Sequence, residues 1–264
     1  MKRHALKLPP QETSTALLLA DLQVPFHDKR AWGLALGAAA RIKPTYIIGM
    51  GDWADCFWWS SYPKQFGSVR PAGLRYGWNA AGERRAVWDT WDQIRTASPE
   101  STFIFLEGNH EERCRRIIQT NAPGSETPDT DFSHVFARQK KTISEWWDLV
   151  LPYEDALHIG HLWLTHGSTV SEYEAKRMLQ NWGTSIAFGH THRWQFYSRR
   201  HKNGEHHAAW GLPCLCDLDA HYLAAPNWCQ GFTVVTFSPT GLFHLEIIPI
   251  LPGYKYVLGQ ELYK

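Results

Sequence analysis

Residues 45–52 read Thr-Tyr-Ile-Ile-Gly-Met-Gly-Asp, a short apolar run that ends abruptly on a carboxylate. A run of this length behind a helix-breaking Pro44 reads as a buried strand. The same pattern recurs on either side, at Thr15 to Asp21 (TALLLAD) and at Ser101 to Leu106 (STFIFL). Between the first two runs lies Asp28 to Ile42, with Asp28 as a helix N-cap and Trp32, Leu36, Ala39 and Ala40 near helical spacing. Between the second and third, Asn79 to Arg95 aligns Ala80, Val87, Trp91 and Ile94 on one stripe, and a charged helical stretch begins at His110. Strand, helix, strand, helix, strand is the βαβ pattern of a parallel sheet covered on both faces.

The second half reads differently. Leu157 to Ile159 and Leu162 to Thr165 flank Gly160-His161 like a hairpin, and Ser171 to Trp182 carries a helical stripe. Ser185 to Phe188, Phe232 to Phe237 and Phe243 to Ile248 supply further strands, the last stopped by Pro249. The spacing predicts a single domain over residues 1–264, with surface or lid insertions near 57–78 and 119–133, where Gly, Pro, Ser, Trp and Thr gather.

Composition narrows the class. Of 264 residues, 44% are apolar and 20% charged, which excludes a disordered or collagen-like chain. Lys and Arg total 27 against 26 Asp and Glu, a net charge of +1, so a whole-surface affinity for nucleic acid or membrane is not expected. The apolar run at Ala16 to Ala20 is too short for a membrane span or a signal peptide. Five cysteines, an odd number, then predict reduced thiols in a cytoplasmic setting. Cys214 and Cys216 form a C-x-C pair with no second pair at zinc-ribbon spacing, so inert buried thiols are expected there.

The chemistry lies at the strand ends. Asp21 closes the first strand, followed by Gln23; Gly51-Asp52 closes the second; Gly108-Asn109-His110-Glu111 follows the third. His166-Gly167 and Gly189-His190-Thr191-His192 close two later strands. Ligands of α/β sheets gather at the carboxyl ends of strands, and adjacent glycines allow tight turns and close backbone approach. Two Asp, one Asn and three His mix hard oxygens with imidazole, a set suited to a pair of divalent ions such as Mn²⁺, Fe, Zn²⁺ or Ni²⁺.

The ordered set D-x-Q, GDxxD, GNHE, TH and GHTH resembles the calcineurin-like metallophosphoesterase superfamily, whose pattern is D-x-H, GDxxD, GNH[D/E], a lone His and GHxH. The resemblance implies a four-layer α/β/β/α sandwich, with two mixed β-sheets flanked by helices. It also implies two divalent metal ions, Mn²⁺ foremost, with Fe, Ni²⁺, Zn²⁺ or Mg²⁺ as alternatives. On this resemblance Asp52 bridges the ions, Asp21, Gln23 and His192 complete the first site, and Asn109, His166 and His190 complete the second. His110 becomes the catalytic residue, donating a proton to the leaving oxygen or stabilising charge. The implied reaction is in-line attack by a metal-activated hydroxide on a phosphodiester or nucleotide-type phosphate ester.

Three departures refine this expectation. Gln23 stands where the family has His, giving an oxygen-rich first site that should favour Mn²⁺ or Mg²⁺, with His27 as an alternative ligand. GDWADCF and EGNHE omit the arginines of the superfamily's protein phosphatases, and Asp55 replaces the Tyr ligand of purple acid phosphatases. Arg113 and His207 are candidate substrate contacts. Trp53, Trp58, Trp59 and Trp78 serve either as core and lid packing or as a stacking platform for a nucleobase. The alternative functions are a nuclease acting on DNA or RNA and a catalytically weak metal-binding scaffold.

Overall fold

The chain is described as a computed structural model over residues 2–9, 11–59, 79–121, 132–138, 142–219 and 226–264. Most of the two expected insertions, and Trp78 with them, lies outside these residues.

One six-stranded sheet has the order β12-β11-β2-β3-β4-β5. Its members are β2 (Ser14–Leu19), β3 (Tyr46–Gly49), β4 (Thr102–Leu106), β5 (Leu149–Leu151), β11 (Gly231–Phe237) and β12 (Phe243–Pro249). β2 through β5 run parallel, while β11 and β12 are antiparallel additions at the β2 edge. The other sheet has the order β1-β6-β7-β8-β10-β9, from β1 (Arg3–Leu6), β6 (Ala156–Ile159), β7 (Leu162–Thr165), β8 (Ile186–Phe188), β9 (Gln195–Arg200) and β10 (His206–Gly211). It is also mixed: β7, β8 and β10 run parallel, and β6 and β9 antiparallel to them. A hairpin of β13 (Tyr256–Leu258) and β14 (Glu261–Tyr263) follows.

Alternation along the strands explains why the sheets are sandwiched. Leu17, Leu19, Ile47, Phe103 and Phe105 point into one core cluster, and Ala16, Leu18, Ile48, Ile104 and Leu106 into another. Successive side chains face opposite sides of a strand, so uninterrupted apolar runs need cover on both faces. The first cluster is closed by helices α1 (Lys29–Ile42) and α2 (Ala80–Ala97), through Trp32, Ala35, Trp88 and Trp91. The second is closed by Leu157, Ile159, Leu164 and Ala187 of the other sheet. The outer face of that sheet is covered by α5 (Glu174–Trp182), whose Ala175, Met178 and Leu179 pack on Ile186 and Phe188. Short α3 (Arg113–Asn121) and α4 (Phe132–Val135) stand between α2 and β5 in chain order. The result is the expected helix, sheet, sheet, helix layering. Among the described residues, no helix is long and apolar enough to cross a membrane.

Local signals hold where they have a mechanism. Asp28 caps α1, accepting from Arg30 N at 2.8 Å and Ala31 N at 3.1 Å. Helix α3 starts at Arg113 rather than His110, because Glu111 turns inward to accept backbone N–H groups and interrupts the helical path. Helix α5 starts at Glu174, since Ser171 O accepts from the Gln195 side chain instead of a helical N–H. Trp53 is a core residue at 0% exposure, with its indole N–H donated to Thr90 Oγ1 at 2.9 Å.

Ile48 lies between the two sheets at 0% exposure. Ile48→Ala is expected to cost about 2–5 kcal/mol in urea unfolding. A loss below about 1 kcal/mol would show that the sheets do not pack on each other there.

Candidate metal centre

Five strand ends meet at one end of the sandwich. Asp21 follows β2, Asp52 follows β3 and Asn109 follows β4, three adjacent parallel strands of one sheet. His166 directly follows β7 and His190 follows β8, parallel neighbours in the other sheet. The turns are sharp. Asp21, Gln23, Asp52, His190 and His192 all have left-handed backbone, with φ of 52°, 52°, 50°, 68° and 55°. Such conformations cost on the order of 1–3 kcal/mol each in non-glycine residues and persist where the surroundings enforce them. Here they reverse the chain immediately after each strand. Gly51 and Gly108 have no room for a side chain. A Cβ on Gly51 would sit 2.4 Å from His166 Nδ1, and one on Gly108 would sit 2.1 Å from Asp52 Oδ1.

Two ligand groups share one residue. The ligand atoms of Asp21, Asp52 and His192 lie within 4.8 Å of one another, as do those of Asp52, His166 and His190. Asp52, 1% exposed, belongs to both. That is the position expected of a bridge. Asn109 Oδ1 lies 3.0 Å from His166 Nε2, which completes the second group. The Gln23 side chain reaches the first group, with its amide nitrogen 3.4 Å from His192 Nε2. A half-turn of the amide would present its oxygen instead.

No protein-family model matches the chain. It is similar to the Gene 54 protein of Mycobacterium phage D29, 24% identical over 265 residues that cover 92% of this chain and 96% of the relative. Among solved structures it is similar to a single mutant of Vps29 from Entamoeba histolytica, with TM-score 0.45, 11% identity and coverage of 95% of this chain and 99% of that one. It is also similar to a dimetal phosphatase from Danio rerio, with TM-score 0.41, 10% identity and coverage of 84% and 92%.

The donor set suits divalent cations on electrostatic grounds. His166 Nδ1 lies 2.8 Å from the Met50 carbonyl oxygen, which fixes a proton on Nδ1 and leaves Nε2 facing Asp52 Oδ1 at 3.3 Å and Asn109 Oδ1. His192 Nε2 faces Asp21 Oδ1 at 3.2 Å. Converging lone pairs repel unless a positive charge stands among them. In the metal-free protein, protons take that place. Burial alone would lower His166, but the Asp52 charge raises it to about 9. Burial likewise opposes His192, and the Asp21 charge raises it to about 10. Burial and the charge on His166 push His190 the other way, to about 4. Burial pushes Asp52 up, yet His110 and His166 together hold it well below the usual carboxylate range.

His110 is 8% exposed and stands beside the shared carboxylate. Its Nε2 is 3.5 Å from Asp52 Oδ2, its Nδ1 is 3.3 Å from Asp55 Oδ1, and its backbone N–H donates to Asp52 Oδ1 at 2.9 Å. Arg113 donates to the Asp55 carbonyl at 2.6 Å, so its guanidinium holds the loop beside His110. His207 is not brought to the cluster. It sits near the start of β10, opposite Arg199, whereas β10 reaches the metal end only at Gly211, beside Phe188. With His158, His161 and Trp210 it lines a separate cleft of about 620 Å³.

Four further residues support the site in ways their sequence context did not indicate. Glu111, fully buried, accepts from Asp52 N and Ala54 N at 3.0 Å each and from Gly108 N at 2.7 Å, clamping two ligand loops together. Burial and the Asp52 charge push it up to about 8, against the three donors. The Trp228 ring centroid lies 4.3 Å from that of His192, with the two rings tilted by 58°. Cys214 and Cys216 lie on the other side of His192. Burial pushes the Cys214 thiol up, but hydrogen bonding with Cys216 and His192 outweighs it and brings it down to about 6.

Glu83 on α2 supports the Asp55 loop, accepting from Cys56 N at 2.6 Å, and burial followed by the Asp55 charge raises it to about 8. The folded state therefore binds a proton more tightly than the unfolded chain. The resulting stability is complete below the ordinary glutamate value of 4.5 and lost as pH rises through about 8. Glu83→Gln should flatten that decline while leaving stability near pH 4 unchanged, as read from urea unfolding across pH on the metal-free protein. Parallel curves for the two proteins would refute the assignment.

Proposed function

We propose that the chain is a dinuclear, divalent-metal-dependent phosphoesterase, one unit over residues 1–264, that hydrolyses phosphodiester or nucleotide-type esters. The observation that carries this reading is Asp52, shared by two ligand groups, with His110 directly beside it. Asp21, Gln23, Asp52 and His192 would hold one cation, and Asp52, Asn109, His166 and His190 the other. Bound there, the cations supply Lewis-acid and water-activating chemistry.

The chain's own residues do the rest. The Asp55 carboxylate stands 3.3 Å from Nδ1 of His110, and Nε2 lies at the Asp52 end, where it can give a proton to the leaving oxygen. Arg113 fixes the Asp55 loop and so positions His110 indirectly. Esters with less charge than a phosphate monoester are favoured because two arginines beyond His110 are engaged: Arg113 with Asp55, and Arg115 with Glu107 and Glu112 at 2.5 Å. Trp228, against His192, offers an aromatic face beside the site and supports a nucleotide-type substrate. Mn²⁺ is the cation proposed, since oxygen donors outnumber imidazoles in the first group.

Hydrolysis of bis-p-nitrophenyl phosphate should exceed that of p-nitrophenyl phosphate and depend on added Mn²⁺. Asp52→Ala should abolish it. His110→Asn should lower kcat by about 10²-fold with metal content unchanged. Unchanged turnover in Asp52→Ala, or loss of a bound ion in His110→Asn, would contradict these roles.

Gln23 sets the metal preference in this reading. Gln23→His should tighten the first site and shift the ranking from Mn²⁺ toward Zn²⁺ and Ni²⁺ in activity titrations after chelation. Identical rankings for the two proteins would remove Gln23 from the ligand set.

A further inference from the structure

β10 ends at Gly211, and the chain beyond it carries Cys214 and Cys216 to the metal end of the sandwich. Residues two apart on an extended chain face the same side. Leu215 points into the helix-side core, while Cys214 and Cys216 point away from it toward His192. Cys216 Sγ lies 3.6 Å from His192 Nδ1, and the ligand atoms of His192, Cys214 and Cys216 lie within 4.8 Å of one another. All three are buried, at 4%, 0% and 1% exposure. The other ring nitrogen, Nε2, faces Asp21 and Gln23. His192 thus stands between two donor sets of opposite chemistry, hard oxygens at Nε2 and soft sulfurs at Nδ1.

The geometry points to a second kind of cation site in this protein, formed by His192 Nδ1, Cys214 Sγ and Cys216 Sγ and suited to a thiophilic divalent ion of the Zn²⁺ type. Thiolate with imidazole is the donor mixture that Zn²⁺ takes, and hard ions such as Mn²⁺ and Mg²⁺ disfavour it. The Cys229 carbonyl, 3.4 Å from Cys214 Sγ, places an oxygen beside the set. On binding, both thiols lose their protons to solvent and two S–metal bonds form, with no change of oxidation state. A neutral imidazole has a single ring lone pair, so His192 serves one set at a time. A thiophilic ion held by Cys214 and Cys216 therefore withdraws His192 from Asp21 and Asp52. This second consequence rests on the two-ion reading above, but the thiolate site itself does not.

The test uses the chelated full-length protein loaded with Co²⁺. Wild type is expected to show a near-ultraviolet thiolate-to-Co²⁺ charge-transfer band. The double variant Cys214→Ser/Cys216→Ser should lose it, and Asp52→Ala should keep it even while phosphoesterase activity disappears. No band in wild type, or an unchanged band in the double variant, would overturn the proposal. X-ray absorption of Zn²⁺-loaded wild type needs no variant: a sulfur shell at about 2.3 Å supports the site, and a shell of nitrogen and oxygen alone overturns it. Because the band is read without substrate, failure of this site and failure of the phosphoesterase reading are separate outcomes.

Discussion

A buried carboxylate shared by two converging groups of lone pairs governs the metal end of this molecule. Asp52 is 1% exposed, and His166, His110 and the group around Asp21 all turn toward it. Isolated buried charge is costly and has to be compensated. In the metal-free protein a proton on His166 offsets Asp52 and a proton on His192 offsets Asp21, and the affinities of both imidazoles rise far above the usual range. Divalent cations would replace those protons, which links metal affinity to pH. The left-handed turns at Asp21, Gln23, Asp52, His190 and His192 are the backbone's share of the same requirement, since each trades local strain for a side chain aimed inward.

The two sheets make that convergence affordable. β2, β3 and β4 deliver Asp21, Asp52 and Asn109 in parallel register, and β7 and β8 deliver His166 and His190 from the facing sheet. Packing Leu18, Ile48 and Ile104 against Leu157, Ile159 and Leu164 sets the spacing between these two contributions. Glu111 then ties the Asp52 and Gly108 loops directly, through hydrogen bonds to three backbone N–H groups. Rigid strands position the ligands coarsely, and buried polar clamps finish the work.

Much of this was legible in the residues because the signals had local causes. Runs such as TALLLAD and STFIFL read as strands because burial on both faces leaves them uninterrupted, and Asp28 read as a cap because its side chain satisfies orphan N–H groups. The residues that converge at this end of the sandwich drew notice because they stand at strand ends and most lie beside a glycine. β1, β5, β9, β10 and the β13–β14 hairpin were not legible. β9 (QFYSRR) is a partly exposed edge strand, β1 pairs with β6 across a long stretch of chain, and β10 (HHAAWG) lacks clean alternation. Missing β10 explains two outcomes together. His207 was a candidate substrate contact, yet it lies at the strand's other end, and Cys214 and Cys216 read as inert because nothing local says that β10 carries them to His192. Glu111 sat within a recognised motif, but its role as a clamp depends on loops that meet only in three dimensions.

The central claim is that one carboxylate joins two cations, and electron paramagnetic resonance of the Mn²⁺-loaded protein tests it most directly. Two Mn²⁺ ions sharing Asp52 must be exchange-coupled, so the account predicts a multiline, strongly temperature-dependent spectrum at two equivalents of Mn²⁺. Two independent, uncoupled Mn²⁺ signals that simply add as metal is titrated would contradict it.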